Sequence, residues 1–247
     1  MKRIIITGGP TNEPIDEVMK ITNMSTGGLA VALGEQFLTA GYYVTLILNN
    51  AVNAESLEDE NVEIRRVETT GDMLAALKAR SEYNKPVDAV IHAAAVGDYK
   101  SDFSFLLEDM ARELFAKLDR VNSADDILNI MKCPECKIDD SSKISSYQEN
   151  LTVKLGLTPK IIARLRAWYP DSILIGCKLL DNVPEEELFE AAWHLCETNR
   201  MDYILANDLA RLREGRPERY VVTKDGFSGI KLASPKDIFR FVAGKLR

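Results

Sequence analysis

Long hydrophobic runs are missing from this sequence. The longest, such as AVIHAAAV at 89–96, fall far short of the ~20 residues that span a bilayer, so no membrane partner is expected. MKRIIITGG at the N-terminus has three apolar residues before a Thr-Gly-Gly break. A secretory signal needs a core of roughly 7–15, and a cytoplasmic location is expected. An excess of positive charge is missing too: 31 Lys and Arg face 38 Asp and Glu, a net charge of -7. That balance excludes a broad nucleic-acid surface, which needs a Lys/Arg excess to neutralise phosphates. A local basic pocket for a small phosphate compound is still allowed.

Cysteine is scarce. Four cysteines, Cys133, Cys136, Cys177 and Cys196, in 247 residues do not make a disulfide framework. CPEC at 133–136 is a CxxC, but a structural zinc site needs two further ligands at similar spacing. The two histidines, His92 and His194, do not supply that spacing, so CPEC reads as two cysteines in a loop. The remainder, 46% apolar and 28% charged, is the composition of an ordinary globular protein with a substantial core.

The first hundred residues alternate strand and helix. RIIIT (3–7) is a β-branched run ending at glycines, as a buried parallel strand should be. STGGLAVALGEQFLTAG reads as a helix capped at Ser25 or Thr26, with Leu29, Leu33, Phe37 and Leu38 on one face and Gly41 as its C′ residue. Strands follow at 42–49, 62–67 and 87–96, with an amphipathic helix at 70–83. This rhythm predicts a parallel sheet with right-handed crossovers. It fails between 100 and 150, where 101–120 looks helical and 133–150 is polar and irregular. Then come a strand at 151–157, a helix with Thr158 as cap and Pro159 at its first position, a strand at 172–180, a helix at 184–200 and a strand at 202–208. An Asp-Gly signal marks a hairpin at 219–232, and a last helix is capped by Ser234. The expected fold is one α/β domain over 1–247: a Rossmann-like, doubly wound, mostly parallel sheet with an inserted arm and flap at 101–150 and a C-terminal β-hairpin.

Ligands of such sheets bind beyond the carboxyl ends of the strands, here Thr7–Gly9, Ala94–Asp98, Cys177–Leu180 and Ala206–Asp208. TGGPTNEPIDEVMKITNMSTGG (7–28) has two glycine pairs, Gly8-Gly9 and Gly27-Gly28. They are too far apart for the dinucleotide fingerprint, which packs three glycines into six positions. The second strand ends in Asn49-Asn50 rather than the acidic residue that holds a ribose, and no Walker Gly-Lys-Ser/Thr ending is present. The residues alone imply an α/β protein with an anionic ligand and an unusual loop.

That opening stretch resembles the start of the phosphopantothenate–cysteine ligases, with a Gly-Gly turn, Glu-Pro-Ile-Asp, Ile-Thr-Asn and Ser-Thr-Gly in order. The similarity continues through AAAVGDYK (93–100), KISS (143–146), LTVKLGLTPKII (151–162), IGCKLLD (175–181) and DYILAND (202–208). The resemblance implies an enzyme that joins 4′-phosphopantothenate to cysteine through an acyl-nucleotide in coenzyme A biosynthesis. Its co-substrate would be CTP more than ATP, its ion Mg2+ and its assembly a homodimer, with 101–142 as the place to look for the contact. The first strand begins at residue 3, so a stand-alone bacterial form is expected, without the flavin-dependent decarboxylase fused to many members.

By the same resemblance Asn23 and Lys143 are the catalytic candidates, Asn23 touching the acyl-nucleotide and Lys143 riding a flap over phosphates. Gly8, Gly9, Ser25, Thr26, Gly27, Ala94, Ala95, Asp98, Pro159 and Lys178 are the nucleotide- and phosphate-binding candidates, with Asp98 also near the metal. Asn207 and Asp208 would shape the site. The chain departs from the family where relatives often have lysine (Gly28) or an aromatic (Cys177), and where bacterial members carry two lysines (Leu195 and Asn199). Two other readings stand beside the ligase: an NAD(P)-dependent reductase on a similar sheet, and a diverged, non-catalytic nucleotide-binding protein.

Overall fold

Apolar runs too short for helices and too apolar for loops become central strands. In the computed structural model, which describes residues 1–83 and 85–246, β1 (Arg3–Gly8) precedes two short strands, β2 (Asn12–Pro14) and β3 (Lys20–Thr22). Then follow α1 (Gly28–Thr39), β4 (Tyr43–Asn49), β5 (Val62–Val67), α2 (Thr70–Ser81) and β6 (Ala89–His92). The middle of the chain forms β7 (Tyr99–Leu106), α3 (Leu107–Ala116), α4 (Ala124–Lys132) and β8 (Leu151–Leu157). The last third adds α5 (Ile162–Trp168), β9 (Ile173–Leu180), α6 (Glu185–Thr198), β10 (Tyr203–Asp208) and α7 (Leu209–Arg213). β11 (Arg219–Thr223), β12 (Gly226–Leu232) and α8 (Pro235–Lys245) close it.

The chain divides into two compact units. The first comprises Met1–Thr11, Asn23–Val96 and Pro159–Arg247; the second comprises Asn12–Thr22 and Gly97–Thr158.

The first unit holds an eight-stranded sheet in the order β12-β11-β10-β9-β6-β1-β4-β5. β5, β4, β1, β6, β9 and β10 run parallel, and β11 and β12 pair antiparallel at one edge. This is the doubly wound sheet with a C-terminal hairpin expected from the alternation. Successive residues of a strand face opposite sides: Ile4 and Ile6 join one core cluster with Leu33, Phe37 and Val242, while Ile5 joins the other with Met73, Leu77 and Leu165. Burial on both faces is why β1 and β4 read as continuous apolar runs.

Two caps differ from expectation. Gly27, with φ 73°, occupies the N-cap position of α1 without a side-chain cap bond, so neither Ser25 nor Thr26 caps it. Thr158 does not cap α5, whose N-cap is Ile161; the Thr158 hydroxyl instead donates to the Gly97 carbonyl. Ser234 does cap α8, accepting from the Asp237 N–H.

The second unit pairs β2 with β3 and β7 with β8, both antiparallel. The stretch 101–120, expected to be helical throughout, is strand up to Leu106 and helix from Leu107. β7 owes its strand state to β8, about fifty residues away, and no local window contains that partner. Phe103, Phe105 and Met110 form a small core with Leu114 and Cys136 packed against it. Glu113 explains CPEC: its carboxylate accepts the backbone N–H groups of Glu135 and Cys136 and the Lys117 ammonium at 2.6 Å. Burial pushes that carboxyl up, but these donors outweigh it and hold the pKa at about 2. Burial and the Glu113 charge raise the Cys136 thiol, keeping it protonated. CPEC is therefore a fastened turn.

Phe37 is fully buried and meets Tyr42 and Phe239 edge-on, with centroids 5.2 and 5.0 Å away. Phe37→Ala is expected to destabilise the protein by about 3–5 kcal/mol, measured as a lowered urea midpoint at unchanged m-value.

Candidate functional site

The sheet order places a topological switch point between β1 and β6. From β1 the chain winds outward through β4 and β5, then returns to β6 on the other side and continues outward to β9 and β10. Doubly wound sheets bind ligands at such a switch point, beyond the carboxyl ends of the strands. Beyond the last paired strand residues the two loops stay in register for one more step. Ala95 N–H donates to Gly9 O at 2.9 Å, Thr11 N–H donates to Ala95 O at 3.3 Å, and Pro10 and Ala95 form a parallel bridge.

The glycines build one wall. A Cβ on Gly8 would lie 2.2 Å from the Ala30 Cβ, so α1 packs directly on the end of β1. Gly9 and Gly27 both have left-handed φ, 83° and 73°. A Cβ on either would strike Val52 at 2.5 or 2.6 Å, and one on Gly27 would also come within 3.1 Å of the Gly9 nitrogen. The two glycine pairs of the opening stretch therefore meet, with Val52 filling the space beside them. Gly27 starts α1, whose first turn presents backbone N–H groups at the positive end of the helix dipole, suited to an anion. The Thr26 hydroxyl accepts the Gly28 N–H at 3.3 Å.

Asn23 closes the opposite side. Its amide donates to Ala95 O at 3.3 Å and Val96 O at 3.1 Å, and its own carbonyl accepts the Ser25 N–H at 3.0 Å. The side chain thus ties the loop before α1 to the loop after β6. Under it sits a pair the sequence did not single out. The buried Thr7 hydroxyl lies 2.8 Å from His92 Nδ1 and accepts the Ala94 N–H at 3.2 Å, so it fixes the first peptide of the β6 loop. Burial drives the His92 pKa down to about 4, and the imidazole is neutral at physiological pH. A Thr before Gly-Gly and a His at a strand end were visible in the sequence, but nothing local pairs residues 7 and 92.

Gly8, Gly9, Asn23, Gly27, Ala94 and Ala95 are thus brought together in the first unit, with Ser25 and Thr26 on the connecting turn. Lys178 stands on β9 opposite Ala206 in the register. Pro159 is exposed and precedes α5 by three residues. Asp208 is engaged elsewhere: its carboxylate accepts the N–H groups of Val183 and Arg211, both at 3.1 Å, capping α7. Asp98 and Lys143 lie exposed on the second unit.

These features define a doubly wound α/β protein whose switch-point edge is built on close glycine packing between a strand end and a helix start. The chain belongs to the DNA/pantothenate metabolism flavoprotein C-terminal domain family, whose model matches residues 1–131. The coenzyme A biosynthesis bifunctional protein CoaBC of Thermococcus kodakarensis is 31% identical over 224 residues, 91% of this chain and 45% of that protein. The CoaBC of Methanocaldococcus jannaschii is 29% identical over 248 residues, 99% of this chain and 50% of that protein. The chain spans about half the length of these curated relatives. The crystal structure of the DNA/pantothenate metabolism flavoprotein from Streptococcus pneumoniae is 29% identical, with a TM-score of 0.80, covering 100% of this chain and 98% of that one.

The His92 geometry sets a pH dependence. Its folded pKa of about 4 lies below the ordinary 6.5, so between these values the unfolded chain binds more protons. The stabilisation is complete above pH 6.5 and is lost as pH falls towards 4. Relative to His92→Asn, the wild-type protein should lose about 2–3 kcal/mol between pH 7 and 4.5, read from paired urea titrations. Parallel curves for the two proteins would contradict a buried neutral imidazole.

Proposed function

We propose that this protein is a ligase of coenzyme A biosynthesis, joining 4′-phosphopantothenate to cysteine through an acyl-nucleotide with CTP, rather than ATP, as co-substrate. Membership of the family and the likeness to the CoaBC proteins support this reading. One observation carries it: the Asn23 amide is tied to Ala95 O and Val96 O in the same unit as the glycine-built start of α1.

A carboxylate is a poor electrophile, so the pantothenate carboxylate first attacks the α-phosphate of the triphosphate and expels pyrophosphate. The cysteine amine then attacks the activated acyl carbon and expels the nucleotide monophosphate. Catalysis of such steps is mostly alignment and stabilisation of charge as it develops. The N–H groups at the Gly27 end of α1 receive phosphate oxygens, helped by the hydroxyls of Ser25 and Thr26. Asn23 adds no charge, and its amide suits an acyl phosphate flanked by an amine. Lys178 supplies charge near the nucleotide. Lys143 and Asp98, assigned from their motifs, would neutralise phosphate charge and, for Asp98, help hold the ion.

Mg2+ is commonly bound by one or two carboxylates together with substrate phosphates and water, and a single exposed Asp98 fits that habit. Among the described residues no group of three or more His, Cys, Asp or Glu could enclose a metal, so the phosphates would complete the coordination.

The protein would act as a cytoplasmic homodimer. An amphipathic helix ordinarily buries its apolar stripe, yet α4 has no buried residue among those described. Ile127, Leu128 and Met131 on α4, and Leu107 and Phe115 on α3, are exposed; apolar surface of this kind marks association, here with a second copy. Among the described residues no helix is long and apolar enough to cross a membrane.

The direct test is phosphopantothenate-dependent pyrophosphate release with Mg2+, comparing CTP with ATP. CTP should drive the faster release, and no release with either nucleotide would sink the ligase reading. Asn23→Ala should still bind triphosphate but turn over roughly 100-fold more slowly, with acyl-nucleotide accumulating or leaking to hydrolysis. A wild-type rate in this variant would remove Asn23 from the chemistry.

A further inference from the structure

The candidate lysine sits in a segment with few attachments. Between Ile138, whose N–H donates to Ser104 O at 2.8 Å, and Asn150, whose carbonyl accepts the Leu107 N–H, the second unit runs through an exposed stretch without helix or strand. Among the described residues from 139 to 150, Ile144 alone is buried, at 5% exposure. Its N–H donates to Asp16 Oδ2 at 2.8 Å, across 128 residues of sequence. The other oxygen of the same carboxylate accepts the N–H groups of Val18 at 2.7 Å and Met19 at 2.6 Å. Asp16 therefore closes its own turn with one oxygen and holds the residue after Lys143 with the other.

We infer that Asp16, the aspartate of the Glu-Pro-Ile-Asp stretch, is a positioning residue whose carboxylate clamps the Lys143–Ile144 backbone and so sets where the lysine is presented. The inference rests on the proposed role of Lys143 in the ligase reaction. Three backbone donors satisfy the carboxylate, and only the ionised form accepts on both oxygens without carrying a proton. These donors from Met19, Ile144 and Val18, with the nearby Lys143 charge, hold its pKa below the ordinary carboxylate value, so the clamp is ionised throughout the neutral range. A flap hinged at Ile138 and Asn150 without this attachment would sample many placements of Lys143, and misplacement of a catalytic group is costly in rate.

Two substitutions separate the clamp from the local turn. Asp16→Ser keeps a hydroxyl that can serve the Val18–Met19 turn but is too short to reach Ile144. Asp16→Asn keeps the shape while leaving one acceptor oxygen in place of two. In both, exchange of the Ile144 amide with deuterium should accelerate tenfold or more, the scale of a lost bond to a charged group. Pyrophosphate release should slow roughly tenfold in kcat while KM for triphosphate and phosphopantothenate stays within about twofold.

The deciding measurement is the double variant. Lys143→Ala alone should reduce kcat roughly 100-fold, and adding Asp16→Ser should then change kcat by less than about twofold, because the clamp has nothing left to position. Multiplying losses would show that Asp16 acts by general stability and would overturn the proposal. Unchanged Ile144 exchange in the single variants would overturn the clamp itself. A wild-type rate in Lys143→Ala would remove the lysine's role and with it the positioning role of Asp16, leaving Ile144 exchange to report the bond independently.

Discussion

The carboxyl edge of the first unit depends on backbone-to-backbone contact between the end of β1 and the start of α1. Gly8 lies against Ala30, and Gly9 and Gly27 crowd together against Val52, leaving no room for a Cβ at any of the three. This contact puts the first turn of α1 beside the strand end at the switch point. It also fixes the exit of the β1 loop, so that Gly9 O and Thr11 N–H can pair with Ala95. A side chain at Gly9 or Gly27 would be strained twice, by the left-handed φ and by the collision.

Around that contact the edge is finished with neutral groups. Thr7, His92, Asn23 and the peptides of Ala94 to Val96 are joined by hydrogen bonds, and the imidazole among them is kept uncharged by burial. The acidic side chain at the end of β10, Asp208, is occupied elsewhere, in capping α7. On the proposed ligase reading, a phosphate site would gain from this economy. Oriented N–H groups in a low-dielectric wall attract an anion without a buried countercharge that would need its own partner. An acidic chain can in this way still offer an edge without negative charge at its switch point.

What could be read from the sequence follows the range of the interactions. Strands β1, β4, β9 and β10 were legible because burial on both faces leaves a run of apolar residues whatever the partners are. The hairpin of β11 and β12 announced itself through Asp225-Gly226, where Gly226 takes φ 99°. The strand at Tyr99–Leu106 was hidden because its partner lies beyond any local window and the residues after Leu106 are strong helix formers. Caps failed where a glycine or a tertiary bond took the expected role, at Gly27 and Thr158. Asn23, Ala94 and Ala95 could be named from motifs, but not the bonds among them. Thr7–His92 and Asp16–Ile144 span 85 and 128 residues, and neither pair leaves a local sequence signal.

Gly28 shows how the glycines of the opening stretch differ in kind. Gly8, Gly9 and Gly27 are demanded by space or by φ, whereas a Cβ at Gly28 would meet only the Thr26 hydroxyl at 3.4 Å, an ordinary contact. The Cβ of the lysine often found there in phosphopantothenate–cysteine ligases would therefore meet no steric obstacle. A helix N-terminus supplies about half an elementary charge, less than the full charge of an ammonium, so under the proposed reaction a triphosphate would need further neutralisation from Mg2+ and from lysines such as Lys178. On the proposed ligase reading, nucleotide affinity should therefore lean more on the divalent cation than in a relative that carries the lysine.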